Sequence, residues 1–274
     1  MSYNAGFARA NNEGIRHASG ETVLLLNSDT IVIDNAVIEC YKAFSTSSYV
    51  ACGVQLLNPD GSPQISGNYF MKGSLNNLLP LPVIGPLIKS AGSFLKVKKP
   101  HIPHAEGPVE VDWINGAFLM VKKNVISKGG MLDEDFFLYA EEAEWCYRLK
   151  KFGKLVIYGQ FNVIHLQGES SKPAFTSTSH GYTNLYDKKG LQIMLSNFVR
   201  IRKQNGIGWF ILHLIIFTFD IPVFFVAVII SHLFSLRKMG SKLNHAVNYT
   251  RNIFQIWSYF QTILLNKPFF YKIL

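Results

Sequence analysis

Residues 111–165 read VDWINGAFLMVKKNVISKGGMLDEDFFLYAEEAEWCYRLKKFGKLVIYGQFNVIH, and most of the fold class follows from this stretch. The apolar run at 117–121 predicts a strand, and the Gly129-Gly130 pair ends the helix expected after it. An aromatic run then leads into a second helix, and two short strands follow at 154–158 and 161–165. Strands that alternate with helices in this way predict an α/β domain.

Three acids, Glu141, Glu142 and Glu144, lie in the first turn of the second helix. Acids at this position complement the helix dipole, and each contributes about 0.3–1 kcal/mol without any catalytic duty. One of them could instead be a general base, which needs a carboxylate within hydrogen-bond reach of the proton that it removes. The spacing of the three acids alone favours the interaction with the helix dipole. Both interpretations stay open at this point.

A second group of polar residues follows the apolar strand predicted at 22–26, where the chain reads Asn27-Ser28-Asp29-Thr30. Ligands bind at the carboxyl ends of strands in open α/β sheets, so Asp29 is well placed for binding. An ordinary turn is the alternative, because Asn and Asp form such turns readily. His165 ends the last predicted strand, and the Ser- and Thr-rich segment 168–180 is predicted to be a mobile loop that closes over a site.

The charge of the 274-residue chain is concentrated in its last third, although the total is +9. Residues 1–186 contain 16 Lys and Arg against 16 Asp and Glu, whereas residues 187–274 contain 11 against 2. Long apolar runs interrupt this basic tail, which favours an anionic membrane surface as its partner over nucleic acid. The three cysteines are too scattered for a disulfide framework or a metal cluster.

Residues 206–235 are almost wholly apolar, and about 20 such residues can cross a bilayer. Asp220 and Pro222 interrupt the run, so a hairpin or helices lying in the membrane plane are as well supported as one straight span. A soluble helical bundle is the remaining alternative. We therefore divide the chain into an α/β domain, residues 1–182, and a membrane-associating helical tail, residues 183–274.

Five segments together resemble family-2 glycosyltransferases of the GT-A (Rossmann-like) fold, especially the bacterial rhamnosyltransferase-like members. In chain order they are NAGFARANNEGI (4–15), VLLLNSDT (23–30), VDWINGAFLMVKK (111–123), GGMLDEDFFLYAEEAEWCYRLKKFG (129–153) and FNVIH (161–165). The resemblance covers residues 4–171. It implies an inverting transferase that moves a hexosyl or rhamnosyl group from a nucleotide-diphosphate sugar to a lipid-linked or polysaccharide acceptor in surface glycan synthesis.

The resemblance also implies roles for particular residues. Asp29 would bind Mg²⁺ or Mn²⁺, His165 would complete the metal site, and Asn27 occupies the position of the motif's first acid. Glu141 and Glu142 stand where the family has a Glu-Asp pair, so Glu142 takes the position of the catalytic base. The residues matching the donor and acceptor pocket are Asn4, Gly6, Asn27, Trp113, Asn115 and Gly116.

In the family, strands that hold the nucleotide base precede the segment resembling 4–15. We therefore expect an N-terminally incomplete GT-A domain, with a separate chain as one source of the remaining strands. The expected location is the cytoplasmic face of the bacterial inner membrane, with no nucleic acid as partner. The alternative function is an inactive fragment that acts at most as a membrane-bound interaction partner.

Overall fold

The computed structural model describes residues 3–97, 101–166, 184–234 and 240–273. The chain divides into two compact units: a sheet unit, Met1–Phe70 with Lys99–Pro173, and a helical unit, Met71–Lys98 with Ala174–Leu274. The loop predicted at 168–180 lies outside the described residues. The boundary between residues 182 and 183 stays a prediction.

The described strands all belong to the sheet unit, whereas the helices are shared between the units. The strands are β1 (Thr22–Leu26), β2 (Thr30–Val32), β3 (Ala51–Leu57), β4 (Gly67–Asn68), β5 (Pro108–Val111), β6 (Trp113–Ile114), β7 (Phe118–Lys122) and β8 (Leu155–His165). The helices are α1 (Gly6–His17), α2 (Ala36–Ser45), α3 (Ile84–Phe94), α4 (Lys123–Gly129), α5 (Glu141–Leu149), α6 (Lys188–Asn205), α7 (Ile207–Phe234), α8 (Gly240–Ser258) and α9 (Phe260–Leu264).

The main sheet is mixed, with the strand order β1-β7-β3-β8-β2, and β5 also pairs with β8. Because β7 is antiparallel to both β1 and β3, and β3 is parallel to β8, strands β1, β3 and β8 run in the same direction. Their carboxyl ends therefore share one edge of the sheet, where ligands of α/β proteins bind. Among the described strands, β1 forms one end of the sheet. The predicted α/β class is confirmed.

Helices cover both faces of this sheet, because alternate residues of each strand point to opposite sides. On β7, Leu119 and Val121 join a buried cluster with Trp145 of α5, whereas Phe118 joins a second cluster with Phe44 of α2. The cysteines Cys40, Cys52 and Cys146 are buried and free. The sheet is thus an α/β core with buried side chains on both faces.

In the helical unit, α7 runs from Ile207 to Phe234 as one helix through Asp220 and Pro222. A hairpin folded at these residues is therefore wrong. Asp220 is fully buried and accepts a hydrogen bond from the backbone N–H of Ile84 at 2.9 Å. This contact satisfies an orphan donor at the start of α3, and it explains why the polar side chain does not break α7.

Two further helices of this unit are α3, which lies in a proline-rich part of the sequence, and α6. Most of α6 is buried, and even Lys189 and Arg200 are only 8% and 5% exposed. Its apolar positions alone did not reveal that α7, α8 and α9 surround it.

Candidate active site

Asp29 and His165, which are far apart in the sequence, lie side by side at the carboxyl edge. Strand β2 begins right after Asp29 and pairs antiparallel with the end of β8, so that Thr30 lies opposite His165. The backbone N–H of Leu166 also donates to the carbonyl oxygen of Asp29 at 2.9 Å. These backbone contacts bring Asp29 Oδ1 to 3.4 Å from His165 Nε2, and both residues are buried.

The chemistry of this pair fits a divalent cation. Asp29 Oδ1 is buried and accepts no hydrogen bond, although a buried carboxylate oxygen normally has a partner. Burial lowers the pKa of His165, an effect that the Asp29 charge opposes, and a neutral imidazole is the form that binds metals. No group of three His, Cys, Asp or Glu residues that could hold a metal occurs in the described part of the chain. Further ligands would therefore be water or a substrate phosphate, as is usual for Mg²⁺.

The acidic helix α5 begins after two residues with left-handed backbone conformation, Tyr139 with φ 73° and Ala140 with φ 68°. Residues other than glycine rarely adopt this conformation, which costs about 1–3 kcal/mol and is concentrated at functional sites. The turn delivers Glu141 into the core, where it is 3% exposed. Glu142, the next residue, is only partly buried.

Glu141 and Glu142 therefore differ strongly in environment. Burial raises the pKa of Glu141 well above its usual range, and the negative charge of Glu142 raises it further. Both effects favour the protonated form of Glu141, and its buried Oε2 has no hydrogen-bond partner. Of the two predicted catalytic acids, Glu142 is the one that can face an acceptor.

The third acid, Glu144, forms a structural ion pair. Its two carboxylate oxygens accept hydrogen bonds from Arg148 at 2.8–3.0 Å. The same guanidinium also donates to the carbonyl oxygens of Gly129 and Met131, and Trp145 donates to Gly130 at 2.8 Å. This acid therefore anchors α5 to the glycine turn that follows α4.

We expect Arg148→Met to lower the free energy of unfolding by about 3 kcal/mol, because it leaves the buried Glu144 carboxylate without its partner. Chemical denaturation of the purified chain measures the loss. Lys154→Met is the matched control, since Lys154 pairs with Glu110 on the surface and such pairs contribute at most about 1 kcal/mol. Equal losses in the two variants would contradict the anchoring role.

A short series of contacts connects Glu142 with the segment that contains Asp29. The Cβ and Cγ atoms of Glu142 lie 3.5 Å from the point where a Cβ on Gly116 would be. The next residue, Ala117, accepts a hydrogen bond from the backbone N–H of Asn27 at 3.1 Å. Asn27 stands two residues before Asp29. The segment just before β7 thus lies beside the predicted base and is hydrogen-bonded to the segment that carries the predicted metal ligand.

Trp113 and Asn115 belong to the same segment, just before β7. The indole Nε1 of Trp113 is a buried donor without a hydrogen-bond partner, which makes it available to a ligand. The Asn115 side chain instead supports the backbone, because Oδ1 accepts from the N–H of Ala117 and Nδ2 donates to the carbonyl of Ile65. The two residues predicted together therefore differ in role. Trp113 has a donor that could bind a ligand, whereas Asn115 stabilises the turn.

Asn4 and Gly6 lie at the start of α1, beside the loop that precedes α5. Asn4 Oδ1 accepts a hydrogen bond from the N–H of Gly6 at 3.2 Å. Gly6 has φ +78°, and a Cβ there would lie 2.3 Å from the carbonyl oxygen of Phe137, so only glycine fits. The place of both residues in a donor pocket stays a prediction.

One residue of this edge was missed at the sequence level. Gln64 is buried, and its Oε1 lies 3.1 Å from His165 Nδ1. The available signal was its position, because Gln64 follows the Asn58-Pro59-Asp60-Gly61 turn at the carboxyl end of β3.

Comparison with known proteins shows which proteins this chain is similar to. The chain is 31% identical over 166 residues to the low-salt glycan biosynthesis hexosyltransferase Agl10 of Haloferax volcanii, which covers 59% of this chain and 48% of that protein. It is 24% identical over 174 residues to the dTDP-rhamnosyl transferase RfbF of Shigella flexneri, with coverages of 61% and 51%. Both relatives are named sugar transferases.

The family model described as Glycosyl transferase family 2 matches residues 1–104. Residues 1–104 are thus similar to glycosyl transferase family 2, in agreement with the resemblance of the motifs. Together with the mixed sheet, the match supports the predicted GT-A class of the domain. The chain spans about half the length of these two curated relatives.

A solved structure of the mannosyltransferase PcManGT from Pyrobaculum calidifontis, in complex with GDP-Man and Mn²⁺, is also similar. Its TM-score is 0.47 at 11% identity, covering 97% of this chain and 69% of that one. Similarity at this level does not by itself establish a shared fold.

Proposed function

We propose that this chain is an inverting glycosyltransferase that moves a hexosyl or rhamnosyl group from a nucleotide-diphosphate sugar to a lipid-linked or polysaccharide acceptor. The observation that carries the proposal is that Asp29 lies beside His165, while segment 116–117 lies beside Glu142 and accepts a hydrogen bond from Asn27. The similarity of residues 1–104 to glycosyl transferase family 2 supports the reaction class.

In this function Glu142 accepts the proton of the acceptor hydroxyl. That oxygen forms a bond to the anomeric carbon as the bond between this carbon and the diphosphate oxygen breaks, and attack from the opposite face inverts the configuration. Glu141 beside it is buried, and this burial raises the pKa of Glu141, so Glu142 is the acid of the pair that is placed to act as the base. Partial exposure leaves Glu142 accessible to the acceptor.

Asp29 and His165 would hold the divalent cation, Mg²⁺ or Mn²⁺. The bound ion supplies positive charge that stabilises a leaving diphosphate. The orphaned Asp29 oxygen and the adjacent ring nitrogen supply one oxygen and one nitrogen donor. Trp113 Nε1 is a further unpaired donor that could bind a sugar or phosphate oxygen.

We further propose that the helical unit binds the membrane where the acceptor lies. The unit carries 15 Lys and Arg against 2 Asp and Glu, whereas the sheet unit has 12 against 16. Helix α7 is long and apolar enough to cross a membrane, with a mean hydropathy of 2.5 over Ile207–Leu233. Several of its large apolar side chains face outward, including Phe219, Ile229 and Leu233. Positive charge beside exposed apolar surface is what an anionic bilayer binds.

Replacing Phe219 by glutamate is expected to reduce binding of the full chain to phosphatidylglycerol vesicles, because Phe219 is 63% exposed on α7. Vesicle flotation measures the bound fraction. Ile38→Glu is the matched control, since Ile38 is 47% exposed on a helix of the sheet unit. Equal binding of Phe219→Glu and the unchanged chain to these vesicles would contradict a membrane role for α7.

The proposed reaction is tested by incubating the full chain and acceptor membranes with dTDP-rhamnose and with UDP- and GDP-hexoses. Acceptor-dependent release of nucleoside diphosphate is expected, and its absence from a folded sample would contradict the proposal.

A further inference from the structure

Gln64 connects the turn after β3 with the ring of His165. Its Nε2 donates to the carbonyl oxygen of His165 at 2.6 Å and to Asn58 Oδ1 at 2.8 Å. Its Oε1 lies 3.1 Å from His165 Nδ1. An amide oxygen can only accept, so in this orientation Nδ1 of His165 must carry the ring proton.

The orientation of the Gln64 amide follows from the turn. The Asp60 carboxylate accepts the hydroxyl of Ser62 at 2.6 Å, and this bond lowers the pKa of Asp60, which is therefore an ionised acceptor at neutral pH. Ser62 Oγ consequently accepts from Asn58 Nδ2 at 2.9 Å. Asn58 Oδ1 therefore faces Gln64. Because this oxygen can only accept a hydrogen bond, the Gln64 atom opposite it must be the donor Nε2.

A proton on Nδ1 leaves the lone pair of His165 on Nε2. That nitrogen lies 3.4 Å from Asp29 Oδ1, which has no hydrogen-bond partner. Two buried acceptor atoms therefore face each other without a donor between them. Such an arrangement is unfavourable when empty and favourable when a cation lies between the two atoms.

We propose that Gln64 is a positioning residue that fixes the Nδ1-protonated tautomer of His165 and directs the Nε2 lone pair toward a divalent cation shared with Asp29. The inference rests on the proposed function, because the cation is that of the sugar-transfer site. Metal-binding histidines usually donate their other ring N–H to an oxygen that fixes the tautomer. Here the Gln64 amide provides that oxygen, and the turn of residues 58–62 holds the amide in place.

The first test uses the full chain in detergent, without metal, and nitrogen-15 NMR of labelled histidines at mildly alkaline pH. The His165 signal, identified by its loss in His165→Asn, is expected to show the Nδ1–H tautomer. Gln64→Met keeps the side-chain size and should shift His165 to the Nε2–H tautomer. Gln55→Met is the matched control, because Gln55 is equally buried but bonds to backbone groups of Leu56, Gln64 and Ala105.

The second test measures Mn²⁺ binding by electron paramagnetic resonance in the presence of UDP. Gln64→Met is expected to weaken Mn²⁺ binding by about 10–100-fold, the usual cost of losing such a partner, and Gln55→Met should bind nearly as the unchanged chain does. An unshifted tautomer in Gln64→Met, or equal losses of Mn²⁺ binding in both glutamine variants, would overturn the inference. A Gln64-dependent tautomer in a chain that binds no Mn²⁺ would support the positioning role and overturn the proposed function.

Discussion

Replacing Glu142 by glutamine is expected to lower the rate of sugar transfer by about 10²–10⁴-fold, the usual contribution of a general base. Glutamine keeps the size of the side chain beside Gly116 but cannot accept the acceptor's proton. The measurement is the initial rate of nucleoside diphosphate release with saturating donor and acceptor membranes. Thermal unfolding of the same sample shows whether the fold is retained.

Glu142→Asp is the matched control for this prediction. Aspartate keeps an ionisable carboxylate with a reach shorter by one methylene, so this variant should retain more activity than the glutamine variant. A rate in Glu142→Gln equal to that of the unchanged chain would show that the proton goes elsewhere. Equal, complete losses in both variants would point to packing near Gly116 instead of proton transfer.

Replacing Asp29 by asparagine is expected to weaken Mn²⁺-dependent binding of nucleoside diphosphates by more than about 100-fold. Removing a residue that only hydrogen-bonds a metal ligand already lowers metal affinity by about 10–100-fold. This change removes the charged ligand itself, so a larger loss is expected. Calorimetric titration of the detergent-solubilised chain with UDP, with and without Mn²⁺, measures the effect.

Asp34→Asn is the matched control, because Asp34 is an exposed aspartate five residues along the same segment. It should bind UDP and Mn²⁺ as the unchanged chain does. Undiminished binding in Asp29→Asn would remove this residue from the metal site. It would also weaken the case for His165, whose Nε2 lies 3.4 Å from Asp29 Oδ1.

The strands of the sheet edge could be predicted because their signal is local. The apolar runs at 22–26 and 117–121 and the ending of a strand at His165 all correspond to observed strands. The closeness of Asp29 and His165 has no local signal, since it depends on β2 pairing with the end of β8. Before the structure, only the family resemblance connected the two residues.

The roles of the three acids could not be separated by their spacing. All three lie in one helical turn, yet Glu141 is buried, Glu142 faces Gly116 and Glu144 pairs with Arg148. Burial and ion pairing depend on which elements pack around α5. The same limit applies to α7, where a hydrogen bond from the distant Ile84 accommodates Asp220.

The terminal position of β1 in the sheet bears on how the isolated chain behaves in the test tube. Along its outer side, the N–H and C=O groups of an end strand form a template onto which another extended chain can add. Detergent binds the apolar helices and does not cover these backbone groups. Strand β1 (Thr22–Leu26) is therefore one expected site of aggregation in concentrated samples, and a lysine introduced on this strand is expected to reduce the aggregation.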